Sequence, residues 1–155
     1  MTAQTALRIE IKKLKTFRGM EGMGYNCEVW IDGKKAGSCT DDAHGGALRF
    51  EHDWNKETLA RLDAYATSLP PIPFGAELGG GTYQPDADHV IAKAVDEHDF
   101  TKKAKRWIKS GKVVVRDGDE VFTYKAPLTD ALRAKIAKDS KPGYAILNDD
   151  PAFKV

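Results

Sequence analysis

Apolar and polar side chains alternate with a period of two in three stretches of the first fifty residues. Leu7, Ile9 and Ile11 alternate with Arg8, Glu10 and Lys12. Tyr25, Cys27, Val29 and Ile31 alternate with Asn26, Glu28 and Trp30, and residues 47–51 swing the same way. This is the pattern of strands with one face buried. Asp32-Gly33 is a strong hairpin signal, so residues 34–40 are expected to return as the partner of the second strand. The run Arg18-Gly19-Met20-Glu21-Gly22-Met23-Gly24 reads as a tight or flexible connection, because glycine reaches positive φ at little cost. Asp41-Asp42-Ala43-His44-Gly45-Gly46 is the next turn. The first third is therefore predicted to be a four-stranded antiparallel meander.

The period then changes. Asn55 is placed to cap a helix running to Ser68, with Leu59, Leu62, Ala66 and Leu69 on one face. Residues 70–85, PPIPFGAELGGGTYQP, stop it with four prolines and four glycines; connections this long are uncommon and are often functional. Asp86 starts a second helix carrying Ile91, Ala94, Val95 and His98. A later apolar set, Phe100, Ala104, Trp107 and Ile108, is rotated by roughly half a turn at ~100° per residue. The two sets cannot face one surface, so a break is expected near His98-Asp99, with Asp99 capping a shorter helix that ends at Gly111. Val113-Val114-Val115, a turn at Asp117-Gly118 and residues 121–124 predict a second hairpin. Thr129 or Asp130 caps a last helix with Leu132 and Ile136 inward, Tyr144–Leu147 is a final strand, and the tail DDPAFKV is expected to fray. The fold class is α+β: an N-terminal meander, central helices and a C-terminal hairpin–helix–strand. The expected organisation is one domain over 1–155, with a β-meander lobe over 1–54 and a helical and hairpin lobe over 55–155.

Composition narrows the function classes. With 24 basic and 23 acidic residues the formal charge is +1, which argues against a partner that recruits the whole surface electrostatically. The first residues show no leader-type apolar run, and no stretch approaches the ~18 apolar residues of a membrane span. Two cysteines do not make a secreted disulfide framework, so a reducing cytoplasm is the expected compartment, with no membrane partner.

Four groups of residues can carry chemistry. The glycine run beside Arg18 could offer backbone N–H groups to an anion, but a strand follows where phosphate-cradling motifs place a helix. Cys27, Cys39, His44 and His52 are the one soft-metal set, and no spacing supports a closed zinc site, so no metal or other cofactor is expected. Their placement depends on register. A plain two-residue loop at Asp32-Gly33 puts Cys27 opposite Ser38, whereas one extra residue in a bulged loop puts it opposite Cys39. Asp41, Asp42 and His44 supply carboxylates beside an imidazole, the material of general acid–base chemistry and equally of a solvated turn. No nucleophile accompanies them. Lys102, Lys103, Lys105, Arg106, Lys109 and Lys112 form a basic cluster around Trp107, which suits either a solvated helix face or a phosphate-contacting stripe.

The run from Phe17 to Asn26 (FRGMEGMGYN), followed by Asp32-Gly-Lys-Lys and Asp41–Gly46, resembles a pattern in short uncharacterised proteins of bacteria, phages and mobile elements. Residues 125–129 and 146–148 resemble it in the same way. The resemblance implies an accessory protein that acts by binding a host protein, and it carries no activity, cofactor or catalytic residue with it. The leading expectation is a small cytoplasmic binding protein, an inhibitor of a host defence or regulatory protein. Its expected contact residues are Arg18, Met20, Glu21, Met23, Trp30, Asp41, Asp42 and His44. The alternatives are a nucleic-acid-binding accessory protein using residues 102–112 and a small enzyme using Asp41, Asp42 and His44.

Overall fold

The computed structural model describes residues 7–44 and 46–155, so the first six residues of the chain and Gly45 of the acidic turn lie outside the description. The architecture is α+β, in two compact units that divide between Asp96 and Glu97 rather than at the expected lobe boundary of 54/55.

The first unit is built on the meander. Strands β1 (Ile9–Gly19), β2 (Gly22–Ile31), β3 (Lys34–Asp41) and β4 (Arg49–Phe50) pair antiparallel in the order β1-β2-β3-β4. The alternation does what it predicts. Cys27, Val29 and Ile31 are buried with Ile11, Cys39 and Trp54 under α1 (Lys56–Ser68) and the first half of α2 (Ala87–Lys109), which contribute Leu62, Ala66, Val90, Ile91 and Val95. Leu62 and Ile91 are fully enclosed, each stabilising the fold by about 1.5–3 kcal/mol. Asn55 accepts the Thr58 N–H at 2.7 Å and caps α1.

The β2–β3 hairpin combines features of both registers. Asp32 and Gly33 have φ of 51° and 83°, the two positive values a two-residue type I′ turn requires. Ile31 duly faces Lys34. The register then shifts: Trp30 faces Lys35 but Val29 faces Gly37, leaving Ala36 as a bulge, and Cys27 faces Cys39. Gly37 lies under the Trp54 ring, where a Cβ would fall 2.3 Å from Cδ1. The Trp54 indole N–H donates to the Ser38 carbonyl at 2.9 Å.

The expected glycine connection is mostly strand. Gly19 pairs with Gly22 and Phe17 with Gly24, so only Met20 and Glu21 form the turn. The glycines serve close approach as well as bending. A Cβ on Gly19 would meet Ala43 Cβ at 2.5 Å, and one on Gly24 would meet the Asp41 carbonyl at 2.4 Å and the Phe17 ring at 2.5 Å.

The proline–glycine segment is a small arm. Strands β5 (Ile72–Pro73) and β6 (Thr82–Tyr83) pair around a short 3₁₀ turn at Ala76–Leu78. The Phe74 and Tyr83 rings pack with centroids 4.9 Å apart, tilted by 38°. Gln84 ties the arm to the end of α1, its side-chain amide donating to the carbonyls of Ala66, Thr67 and Leu69. Asp86 accepts the His89 N–H and opens α2.

Helix α2 is continuous, and the break expected at His98-Asp99 does not occur. The rotation between its two apolar sets has another cause. Ile91 and Val95 belong to the core of the first unit, while Phe100, Ala104, Trp107 and Ile108 surround the core of the second. Each half of one helix faces its own surface, so no kink is needed. Among the described residues, no helix is long and apolar enough to cross a membrane.

The second unit has a three-stranded sheet of β7 (Val113–Asp117), β8 (Glu120–Tyr124) and β9 (Ala145–Ile146) in the order β8-β7-β9. The turn between β7 and β8 is Gly118-Asp119, one residue later than expected. Val114 is buried among Ala104, Leu147 and Phe153, whereas Val113 and Val115 are buried against Ile136 of α3 (Asp130–Asp139). Thr129 caps α3 by accepting the Leu132 N–H. The tail does not fray: Asp150 caps a 3₁₀ turn at Pro151–Phe153, and Phe153 is buried edge-on to Phe100. Past β9, Asn148 continues the ladder with its side chain. It accepts the Val114 N–H at 2.8 Å and donates to the Lys112 carbonyl at 3.0 Å.

Candidate functional site

The tip of the β1–β2 hairpin and the Asp41–His44 turn are joined. The Glu21 N–H donates to the Ala43 carbonyl at 2.9 Å, and the Asp41 carboxylate accepts the Ala43 N–H at 2.8 Å. Both bonds hold Ala43 at φ 56°, a left-handed conformation that costs a non-glycine residue roughly 1–2 kcal/mol. Strain of this kind persists only where the surroundings over-determine it, and it gathers at functional sites. Phe17, Arg18, Gly19, Met20, Asp42 and His44 line an open hollow here. Arg18 faces Met23 across the hairpin. Met20 is 87% exposed and Met23 63%.

Seven of the eight expected contact residues, Arg18, Met20, Glu21, Met23, Asp41, Asp42 and His44, are thus brought to one end of the sheet. Trp30 is not. It lies at the far end of β2, opposite Glu10 and Lys35. It is half-buried there, with Lys12 Nζ 3.8 Å above its ring and its indole N–H donating to Glu28. That N–H and the ammonium groups of Lys13 and Lys35 hold the Glu28 carboxyl below the usual carboxylate range.

The acidic turn does not assemble an acid–base relay. The Asp41 carboxylate is engaged by the turn itself, and Asp42 is held by the Arg49 guanidinium at 2.9 Å. No hydrogen bond joins His44 to either among the described residues. Cys27 and Cys39 are neighbours but buried, and burial pushes the Cys27 thiol up to about 11 and the Cys39 thiol up as well. Both are protonated at neutral pH and poor nucleophiles. Among the described residues, no three of His, Cys, Asp and Glu group as a metal site.

The basic cluster lies on the second half of α2, except for Lys112, which follows the helix just before β7. Lys102, Lys103, Arg106 and Lys109 are exposed, while Lys105 and Lys112 are half-buried. Lys103 pairs with Asp99 at 3.0 Å; among the described residues the others form no ion pair. Burial and Lys102 together push the neighbouring His98 below the usual histidine range. The near-zero total charge conceals a division. Up to Asp96 the chain has 11 basic and 14 acidic side chains, and from Glu97 onward 13 and 9.

Sequence reasoning missed the pinning of the tip and the strained Ala43. A signal existed: glycines at 19, 22 and 24 flank a two-residue turn, and glycine inside a strand marks a place where another backbone comes close. Comparison with protein-family models, curated proteins and solved structures returns no match.

Proposed function

We propose that the chain is a cytoplasmic protein-binding module, with the β1–β2 tip and the Asp41–His44 turn as its contact surface. One observation carries this reading: two large apolar side chains, Met20 and Met23, stand exposed on a hairpin tip fixed by hydrogen bonds. A fixed apolar knob costs less entropy on binding than a loose one, and methionine adapts to irregular partner surfaces. Arg18, Glu21 and His44 around the knob would set orientation. On this reading the partner is a host protein and the outcome is inhibition of a defence or regulatory protein, as membership of the phage-type pattern would imply.

The test is affinity capture from bacterial lysate, with and without nuclease, comparing the wild type with Met20→Glu/Met23→Glu. One stoichiometric protein that survives nuclease and is lost with the variant is expected. A partner retained by the variant would overturn the choice of surface.

A second reading has its own support. The excess of basic residues after Glu97, with Lys102, Arg106 and Lys109 exposed on one helix, favours phosphate contact by the second unit. Binding to duplex DNA or RNA would then weaken steeply with salt, and neutralising those three residues would flatten the slope by about 3.

A further inference from the structure

The sheets differ in how their outer edges are protected. Edge strand β1 carries Lys12, Lys13 and Lys15 and an irregularity at Lys13, whose φ is 52°. Lysines and bulges are the usual devices against unwanted strand pairing. β4 is two residues long, and so is β9, beyond which Asn148 covers the β7 ladder. β8 has none of these devices. It is five residues long, regular and exposed, with Val121 37% and Phe122 41% accessible. Among the described residues, no backbone bond outside the hairpin reaches residues 120–124.

The outward backbone groups follow from the register. The two-residue turn closes on Asp117–Glu120, a pair that exchanges backbone bonds. Phe122 and Tyr124 therefore direct their N–H and C=O toward β7, and Val121 and Thr123 direct theirs to solvent. The strand is acidic where it begins, at Asp119 and Glu120, and basic where it ends, at Lys125. Antiparallel pairing with an identical strand sets acidic end against basic end.

We propose that β8 is a self-association edge, onto which a second copy of this chain docks its own β8 antiparallel about a two-fold axis at Phe122. Val121 then pairs with the partner's Thr123, exchanging the outward backbone bonds of both. Phe122 meets the partner's Phe122 at the axis, and Lys125 lies opposite the partner's Asp119. The sheet becomes six-stranded across the axis, with the two β8 strands at its centre.

Cross-linking tests the register directly. Opposed residues of a non-hydrogen-bonded pair have Cα atoms ~4.5 Å apart, within disulfide reach, whereas a two-residue offset exceeds it. In the full chain under mild oxidation, Phe122→Cys is expected to form a covalent dimer and Val121→Cys is not. Equal cross-linking of both, or of neither, would overturn the proposal. Sedimentation of the untagged protein provides a second measurement that does not depend on a new cysteine. The wild type is expected to show a monomer–dimer equilibrium, and Lys125→Glu to raise its dissociation constant about fivefold at low salt. Asp119→Lys/Lys125→Glu is expected to restore it. A wild type that stays monomeric at millimolar concentration, or a charge reversal without effect, would refute the assignment.

Discussion

β2 and β7 are both interior strands of antiparallel sheets, and they are buried in different ways. β2 buries Cys27, Val29 and Ile31 and turns Asn26, Glu28 and Trp30 to a face laced with charge. β7 buries Val113, Val114 and Val115 in succession, because helix α2 and the C-terminal tail cover one face and α3 the other. A sheet covered on one side needs alternation, while a sheet covered on both sides tolerates a continuous apolar run. The first arrangement leaves a polar surface available for ion pairs, and the second leaves polar side chains only at the ends and edges.

A scan of single substitutions would break this contrast if it is wrong. Alanine at Val113, Val114 or Val115 is expected to cost about 2 kcal/mol at each position. On β2 the cost should alternate, about 2 kcal/mol at Val29 and within about 0.5 kcal/mol at Asn26. Urea midpoints give both profiles, and alternation along β7 would contradict two-sided burial. Gly37→Ala tests the bulged hairpin of the first unit. The added methyl must displace the Trp54 ring, with an expected loss of about 1–3 kcal/mol and a change in tryptophan fluorescence. Asn148→Ala tests the closed edge of the second. It leaves the Val114 N–H without its acceptor, for an expected loss of about 1–3 kcal/mol, and faster hydrogen exchange at that amide reports it.

The smallest effect separates the units by pH. Burial raises Cys27 to about 11 from a usual thiol near 9, and burial together with Cys27 and Asp41 raises Tyr25 further. Both groups are neutral in the fold at neutral pH, so the Cys27 contribution is complete below pH 9 and is lost as pH rises through 11, while that of Tyr25 is lost only at higher pH. The fully buried side chains of the second unit's valine core, Val113, Val114, Val115 and Ile136, do not titrate. Between pH 9 and 11 the first unit's stability is expected to fall, and Cys27→Ala to reduce the slope.

Much of the fold was legible because the signals were local. Period-two alternation found the meander, and Asn55, Asp86 and Thr129 cap the helices where their side-chain oxygens are expected to. What was not legible depends on distant partners. The helix break expected at His98-Asp99 assumed one surface for α2, but the chain builds two. The bulge at Ala36 is a property of how β2 and β3 meet, and the anchoring of Phe153 comes from Phe100 and Val114. At the tip, residue types singled out seven side chains that the fold brings to one end of the sheet. Trp30 was placed with them by chemistry alone, and strand length carries it away.

The exposure that makes Met20 and Met23 a contact knob also fixes where oxidants strike. Thiols usually react first, but here both are buried and protonated, whereas both thioethers stand in water. Peroxide should therefore convert the tip to methionine sulfoxide while Cys27 and Cys39 remain reduced, turning an apolar knob polar without disturbing the core. Reductase repair would reverse it. Among the described residues, the surface proposed for binding is thus also the most oxidisable place.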